Sequence, residues 1–323
     1  MKKRLMIVDA LNMYFRAYIV DPSLSTNGQP LGGVKGFMKI LQKLSRDLKP
    51  DMIAICWDGP GGSRKRRQIV KEYKAGRKPI RLNRETDLSE NEELENKIWQ
   101  QTRLIEYLNQ LPTPQFMFPE VEADDVIAYV AGSKQFKGWE KIIVSSDKDF
   151  LQLCDGETVL FRPIQKKVHN RNNVIEEYGI HPVNFALARA IAGDKSDNLK
   201  GVPGAGLPTV QKRLPFLSEA KEYSIQEVMQ YCENIDSKVL FFDRVIAHQN
   251  LIITNYKMMQ LYNPTFSLQS RKKVDHVFEN LGYEFNRTEI IKMMNEDGFG
   301  VYNWNDLFAI MNRISIDKAL TVK

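Results

Sequence analysis

Cysteine and histidine are scarce in this sequence, and their scatter removes whole classes of chemistry. The three cysteines, Cys56, Cys154 and Cys232, are odd in number, lie far apart and include no Cys-x-x-Cys pair. They support neither a disulfide frame nor a thiolate zinc site, and read as buried thiols of a reducing compartment. The four histidines, His169, His181, His248 and His276, are isolated, so no Ser-His or Cys-His nucleophile can be assembled. Long apolar runs are missing as well, and nothing approaches membrane-spanning length. The basic start MKKRLMIVDALN has an apolar stretch too short for a signal sequence, cut by Asp9. Internal repeats and low-complexity segments are absent. The expectation is a soluble, cytoplasmic protein without a membrane partner.

What is present is an ordinary globular composition: 323 residues, 43% hydrophobic, enough for one large or two modest domains. The net charge of +6 leans only mildly toward a polyanionic partner. Its distribution says more. RLMIVD ends at Asp9, MIAICWD ends at Asp58, and KIIVSSDKD ends at Asp147 and Asp149. Continuous Val/Ile runs separated by helix-length stretches predict parallel strands covered on both faces, hence an α/β fold around a mostly parallel sheet. In such sheets ligand groups gather beyond the carboxyl ends of the strands.

Between the second and third runs, Arg64 to Arg84 holds ten basic residues and one acid, and the acidic stretch ETDLSENEELENK follows. With the helix that continues to about Leu111, this is too long for a simple connection. It predicts an inserted, partly mobile element at about 60–111. From about Asn172 the pattern turns helical, with two short helices, the turn GVPGAGLPTV, and further helices to about Leu261. Two more helical patterns fall at about 286–296 and 304–314. The segment NWNDLFAIMNRI within the second is expected to pack on its own chain rather than dock on a partner.

The carboxylates carry the chemistry. In PEVEADDVIAYV, helical geometry puts Glu122 and Asp125 on one face, with Asp124 about 100° away. Val126, Ile127 and Val130 anchor that helix. Alone, these acids would read as first-turn residues favoured by the helix dipole. Together with Asp9, Asp58, Asp147, Asp149 and the GDKSD pair Asp194 and Asp197, they make nine acids in five places beside buried elements or a glycine turn. Hard oxygen donors without His or Cys point to Mg²⁺, with Mn²⁺ as substitute. Two such ions ringed by carboxylates suit in-line attack of water on a phosphodiester. Lys74 and Arg77, three apart and so on one side of a helix turn, are candidates for gripping the scissile phosphate. Lys65, Arg67, Arg81 and Arg84 read as solubilising charge. Glycines 201, 204 and 206 allow a tight turn whose N–H groups meet a backbone phosphate.

Taken together, VDALNMYFR, EYKAGR, VEADDVIAYV, SSDKDFLQL and AGDKSDNLKGVPGAG resemble the 5′ nuclease family, from about Lys3 to Leu261. That family includes flap endonucleases, the 5′–3′ exonuclease domain of bacterial DNA polymerase I and stand-alone bacteriophage 5′ exonucleases, and the last group is the nearest in pattern. The resemblance implies a Rossmann-like (PIN-like) sheet with a helical arch and a helix–three-turn–helix. Three regions are implied: a nuclease core over 1–180, a duplex-binding region over 181–262, and an extension over 263–323 of unknown role.

It also implies a catalytic metal held by Asp9, Asp58, Glu122, Asp124, Asp125 and Asp147, and a second held by Asp149, Asp194 and Asp197. Lys74 and Arg77 would be the arch-base cations, Arg66 and Arg16 further phosphate-side arginines. Gly201, Val202, Gly204 and Gly206 would form the duplex-binding turn, with K⁺ bound by its carbonyls. The implied substrates are branched or nicked DNA with a 5′ flap and RNA–DNA primer hybrids, acted on by a monomer alongside replication proteins, in a host cytoplasm if phage-encoded. Pro208 replaces a usual Lys-before-Thr pattern and Ala10 a usual Gly. A PIN-like ribonuclease and a non-catalytic DNA-binding scaffold are the competing readings.

Overall fold

The computed structural model describes residues 2–82, 88–280 and 284–321; Arg84 lies outside them. The chain divides into two compact units, one of Met1–Asp58, Pro79–Met117 and Ser267–Lys323, the other of Gly59–Lys78 and Phe118–Phe266. The chain leaves the first unit at Asp58 and re-enters it twice. Elements are numbered in chain order.

In the first unit, β1 (Arg4–Asp9) lies parallel to β2 (Met52–Trp57), with Leu5 opposite Met52 and Asp9 opposite Cys56. On its other edge β2 pairs in parallel with the short β3 (Gln115–Met117). All six residues of β2 are buried, which explains why MIAICW shows no polar alternation. Helix α1 (Ala10–Val20) starts directly off β1, and Asp9 caps it by accepting the Asn12 N–H at 3.2 Å. Helix α2 (Gly32–Leu48) stops at Lys49, whose φ of 48° is left-handed.

Helix α4 (Glu90–Asn109) opens with a capping box between Ser89 and Glu92. Buried Gln100 accepts the Gly33 and Val34 N–H groups at 2.7 and 3.2 Å and donates to the Pro30 carbonyl at 2.9 Å. The Tyr14 hydroxyl donates to the Lys97 carbonyl at 2.7 Å. Within the expected insertion at 60–111, the acidic N-terminal turns of α4 are exposed, while Leu104, Tyr107 and Leu108 are core.

The C-terminal residues complete this unit as α12 (Leu268–Asn280), α13 (Arg287–Glu296) and α14 (Asn305–Thr321). Phe278 stacks on Phe116 at 5.0 Å. Leu307, Met311 and Ile314 are buried, and Gln42 of α2 bonds both Asn303 O and Leu307 N. NWNDLFAIMNRI packs on its own chain as expected; α12 was not anticipated.

The second unit holds α3 (Arg64–Ile69), α5 (Ala123–Ala131), β4 (Glu140–Val144), β5 (Thr158–Arg162) and β6 (Lys167–His169). Here β4 and β5 are parallel and β6 is antiparallel to β5. The fold is α/β with mostly parallel strands, as the sequence predicts. Then come α6 (Arg171–Tyr178), α7 (Pro182–Ala192), α8 (Leu207–Arg213), α9 (Ile225–Asn234), α10 (Leu240–Ala247) and α11 (Gln249–Met259). Asn255 of α11 ties the Ala190 and Lys200 carbonyls together at 2.9 and 2.8 Å, fixing the end of α7 to the glycine turn. No helix among the described residues is long and apolar enough to cross a membrane.

Candidate functional site

The sequence-predicted acids fall at the ends of buried elements in both units. In the first unit, Asp9 closes β1 and Asp58 follows β2 directly, so both stand at the carboxyl edge of these parallel strands. Asp9 is 8% exposed. Arg16 lies on α1 with one terminal nitrogen buried and without a hydrogen-bond partner.

The second unit brings the remaining seven together in two linked groups. The first is built on α5, whose Val126, Ile127 and Val130 are fully buried and whose N-cap position is Glu122. Glu122 and Asp125 are buried at 2% and 3% exposure, while Asp124 is half-exposed, as the helical offset requires. Glu122 accepts from Lys74 Nζ at 2.7 Å and from the Tyr73 hydroxyl at 3.1 Å, and pairs with Arg66. Burial alone would raise the Glu122 pKa; the charges of Arg66 and Lys74 reverse this and hold it below the usual carboxylate value. Asp125 accepts the Thr265 N–H at 3.0 Å and lies 3.1 Å from Arg66, yet burial dominates and its pKa is raised.

The second group sits past β4. Asp147 is positioned by its N–H, which donates to Ser145 Oγ at 3.1 Å, and its carboxylate accepts the Asp149 N–H at 2.8 Å. Arg189, from the last turn of α7, reaches Asp149 at 2.9 Å and also pairs with Asp194. Asp194 is further held by Ser196 N and Oγ at 2.8 and 2.7 Å. Burial raises the Asp147 pKa, with Asp197 and Asp194 adding to it. Burial, then the nearby Asp147, pushes Asp149 up to about 7 despite Arg189. Two half-buried carboxylates whose proton affinity is raised in this way form a site that gains from a cation.

Lys74 and Arg77 join the groups, but not from one side of a helix turn as expected. Residues 71–76 form successive turns, and Lys74 takes φ 56°. The Gly76 that follows, at φ 73°, prevents a helix from running through to Arg77. The Lys74 N–H donates to Asp197 O at 2.9 Å, Arg77 pairs with Asp197, and Asn198 reaches back to Glu72 O at 2.9 Å. Burial would lower the Lys74 pKa; Glu122, Asp124 and Asp197 outweigh it and raise it, so Lys74 stays charged.

Arg66 is placed differently from an external phosphate contact. Its guanidinium is mostly buried between Glu122 and Asp125 and donates to Met258 O at 3.2 Å. In the glycine turn, Val202 is buried and donates to Ile191 O at 2.8 Å, and Gly204 takes φ 78°. A Cβ on Gly201 would stand 2.1 Å from Ala192 O, so only glycine fits there. Pro208 falls in the first turn of α8, where a missing N–H breaks no helical bond.

Among the described residues, no three carboxylates, histidines or cysteines already converge as a ligand set; Arg66, Lys74, Arg77 and Arg189 engage the acids instead. Tyr73 and Arg189 escaped the sequence reading. Arg189 had a signal: a lone charge inside the apolar helix ALARAIA, five residues before Asp194.

The fold and these residues define a class, an α/β protein with an all-oxygen acidic site at strand ends, flanked by cations. Residues 4–179 match the family described as 5′-3′ exonuclease, N-terminal resolvase-like domain, and the chain belongs to that family. It is 29% identical over 266 residues to a 5′-3′ exonuclease of Aquifex aeolicus, covering 80% of this chain and 82% of that one. DNA polymerase I of Bacillus subtilis is 28% identical over 312 residues, covering 92% of this chain; the chain spans 33% of that polymerase. Among solved structures, the bacteriophage T5 5′-exonuclease with bound zinc is similar at TM-score 0.64 and 18% identity, covering 91% and 98% of the two chains. A T5 flap endonuclease complexed with DNA and metal ions gives TM-score 0.64 at 18% identity, covering 91% of this chain and all of that one. These likenesses establish the shared fold.

Proposed function

We propose that this chain is a divalent-metal-dependent, structure-specific 5′ nuclease. It would hydrolyse phosphodiesters of 5′-flapped or nicked DNA, and of RNA–DNA primer hybrids, leaving 5′-phosphate and 3′-hydroxyl ends. The observation that carries this reading is the grouping of Asp147, Asp149, Asp194 and Asp197 with Lys74 and Arg77 around one set of stapled loops. A scaffold protein has no use for half-buried acids that repel one another.

The oxygen-only donors and the proton affinity of Asp149 fit hard divalent ions, Mg²⁺ with Mn²⁺ as substitute. Asp9, Asp58, Glu122, Asp124, Asp125 and Asp147 are proposed for the catalytic ion, Asp149, Asp194 and Asp197 for the second. When bound, such ions activate water and offset developing charge on phosphate oxygens. Lys74 and Arg77 are proposed to take the scissile phosphate. Each is held against an acid, so an arriving phosphate competes for the cation and releases carboxylate oxygens. Arg66, paired with both, holds Glu122 and Asp125 near one another. The region 181–262, with Gly201, Val202, Gly204 and Gly206, is proposed to grip the duplex, with K⁺ at the turn carbonyls and Arg16 adding a backbone contact.

The test is cleavage mapping with purified protein and Mg²⁺ on 5′-labelled flap, nicked-duplex and primer substrates. Products cut near the junction or released from the 5′ end support the reading. Intact substrates throughout would refute it, and RNA-only cleavage would favour a ribonuclease.

A further inference from the structure

The acidic opening of α4 finds no use in phosphate chemistry, since carboxylates there repel a nucleic-acid backbone. In the first unit it forms one wall of a cavity of about 430 Å³. Glu92, Glu95, Asn96 and Trp99 line it from one face of α4, at helical spacings of three and four. Pro30 and Leu31 supply an apolar floor, and Glu296 and Asp297 the far side. Arg103 answers Asp297 at 2.7 Å and approaches Glu296 at 3.5 Å, and Glu92 is held by Ser89. Glu95 is exposed and has no ion-pair partner among the described residues. Among the described residues no Lys or Arg lines the cavity, on a chain of net charge +6. Trp99 is 42% exposed.

The cavity is preformed. Asn96 and Gln100 both bond Pro30 O, at 3.1 and 2.9 Å, and Thr26 N donates to Gly298 O at 3.0 Å. A Cβ at Gly298 would strike Thr26 Oγ1 at 2.4 Å, so the loop is seated against α13's end through a glycine. An indole beside Glu92 and Glu95, which have no cationic partner among the described residues, over an apolar floor is a receptor for a cation carried on an apolar stem. A rigid cavity loses little freedom on binding.

We propose that this cavity is a docking site for a partner protein, taking an arginine or lysine side chain with an apolar residue next to it. The test is calorimetric titration of the full chain at low salt with an acetylated, amidated pentapeptide alternating leucine and arginine, against its leucine–glutamate counterpart. Saturable 1:1 binding of the arginine peptide alone is expected, weakening as salt rises. Trp99→Ala and Glu95→Lys should each weaken it about tenfold or more, with flap cleavage unchanged. No saturable binding at millimolar peptide, equal binding of the glutamate peptide, or affinity within twofold of wild type in either variant would overturn the assignment. Loss of flap cleavage in either variant would also overturn it, by placing the cavity in substrate handling.

Discussion

Arg66 shows how single residues decide this site. One guanidinium serves Glu122, Asp125 and the Met258 carbonyl, and is buried while doing so. Removing it leaves two buried acids short of a partner, so Arg66→Ala should cost about 3–5 kcal/mol of stability in urea unfolding. Lys74 is nearer the chemistry. Lys74→Ala should lower single-turnover cleavage by about 10²–10³-fold, the scale of a lost oxyanion donor; a change in substrate affinity alone would reduce Lys74 to docking. Asp147→Asn should abolish cleavage while flap binding stays measurable by gel shift.

His169, outside the site, makes a pH prediction. It is fully buried, its Nδ1 has no partner, and burial lowers its pKa below 6.5 although Glu177 lies 3.1 Å from Nε2. The unfolded chain therefore takes up this proton first, and the contribution of neutral His169 is complete above about pH 6.5 and lost as pH falls below it. Glu177, held down to about 2 chiefly by Lys167, keeps its full contribution above the ordinary carboxylate range and loses it only as pH falls from there toward 2, so the windows do not overlap. Between pH 7.5 and 5.5 the urea midpoint of His169→Gln should fall less than that of wild type.

Legibility varied with the element. The apolar runs of β1, β2 and β4 could be read because both faces of each are covered, and their terminal acids followed. β3 and β6 are three residues each, too short for a pattern, and β5 alternates buried and half-buried positions between turns. The α5 offset between Asp124 and its neighbours was legible from helix geometry alone. The partners were not: Tyr73 and Arg189 reach the acids through loops whose path only tertiary packing sets. Nor could spacing show that Lys74 and Arg77 occupy turns, since Gly76 alone hints at the break. The glycine turn carries its own prediction. Gly201→Ala forces a Cβ against the Ala192 carbonyl, and should cost about 1–3 kcal/mol and weaken duplex binding in a gel-shift assay without touching a carboxylate.

At the scale of the molecule, the extension that matched no motif is structural. It supplies Phe278 to Phe116, and Leu307, Met311 and Ile314 to the core beside α2. A chain truncated before Ser267 should lose about 10 °C or more in Tm by calorimetry, even though every acid of the site is retained.

The first unit is assembled from three separated stretches of chain, the last beginning at Ser267. A ribosome delivers these in order, so Phe116 must wait for Phe278 to emerge, more than a hundred and fifty residues later. By then nearly all of the second unit has left the exit tunnel and can fold as its own piece. Completion of the β1–β2 half, with Asp9 and Asp58, is thereby postponed until the stretch after Ser267 has been made, and a nascent chain stalled before it carries only part of its acids on a finished scaffold.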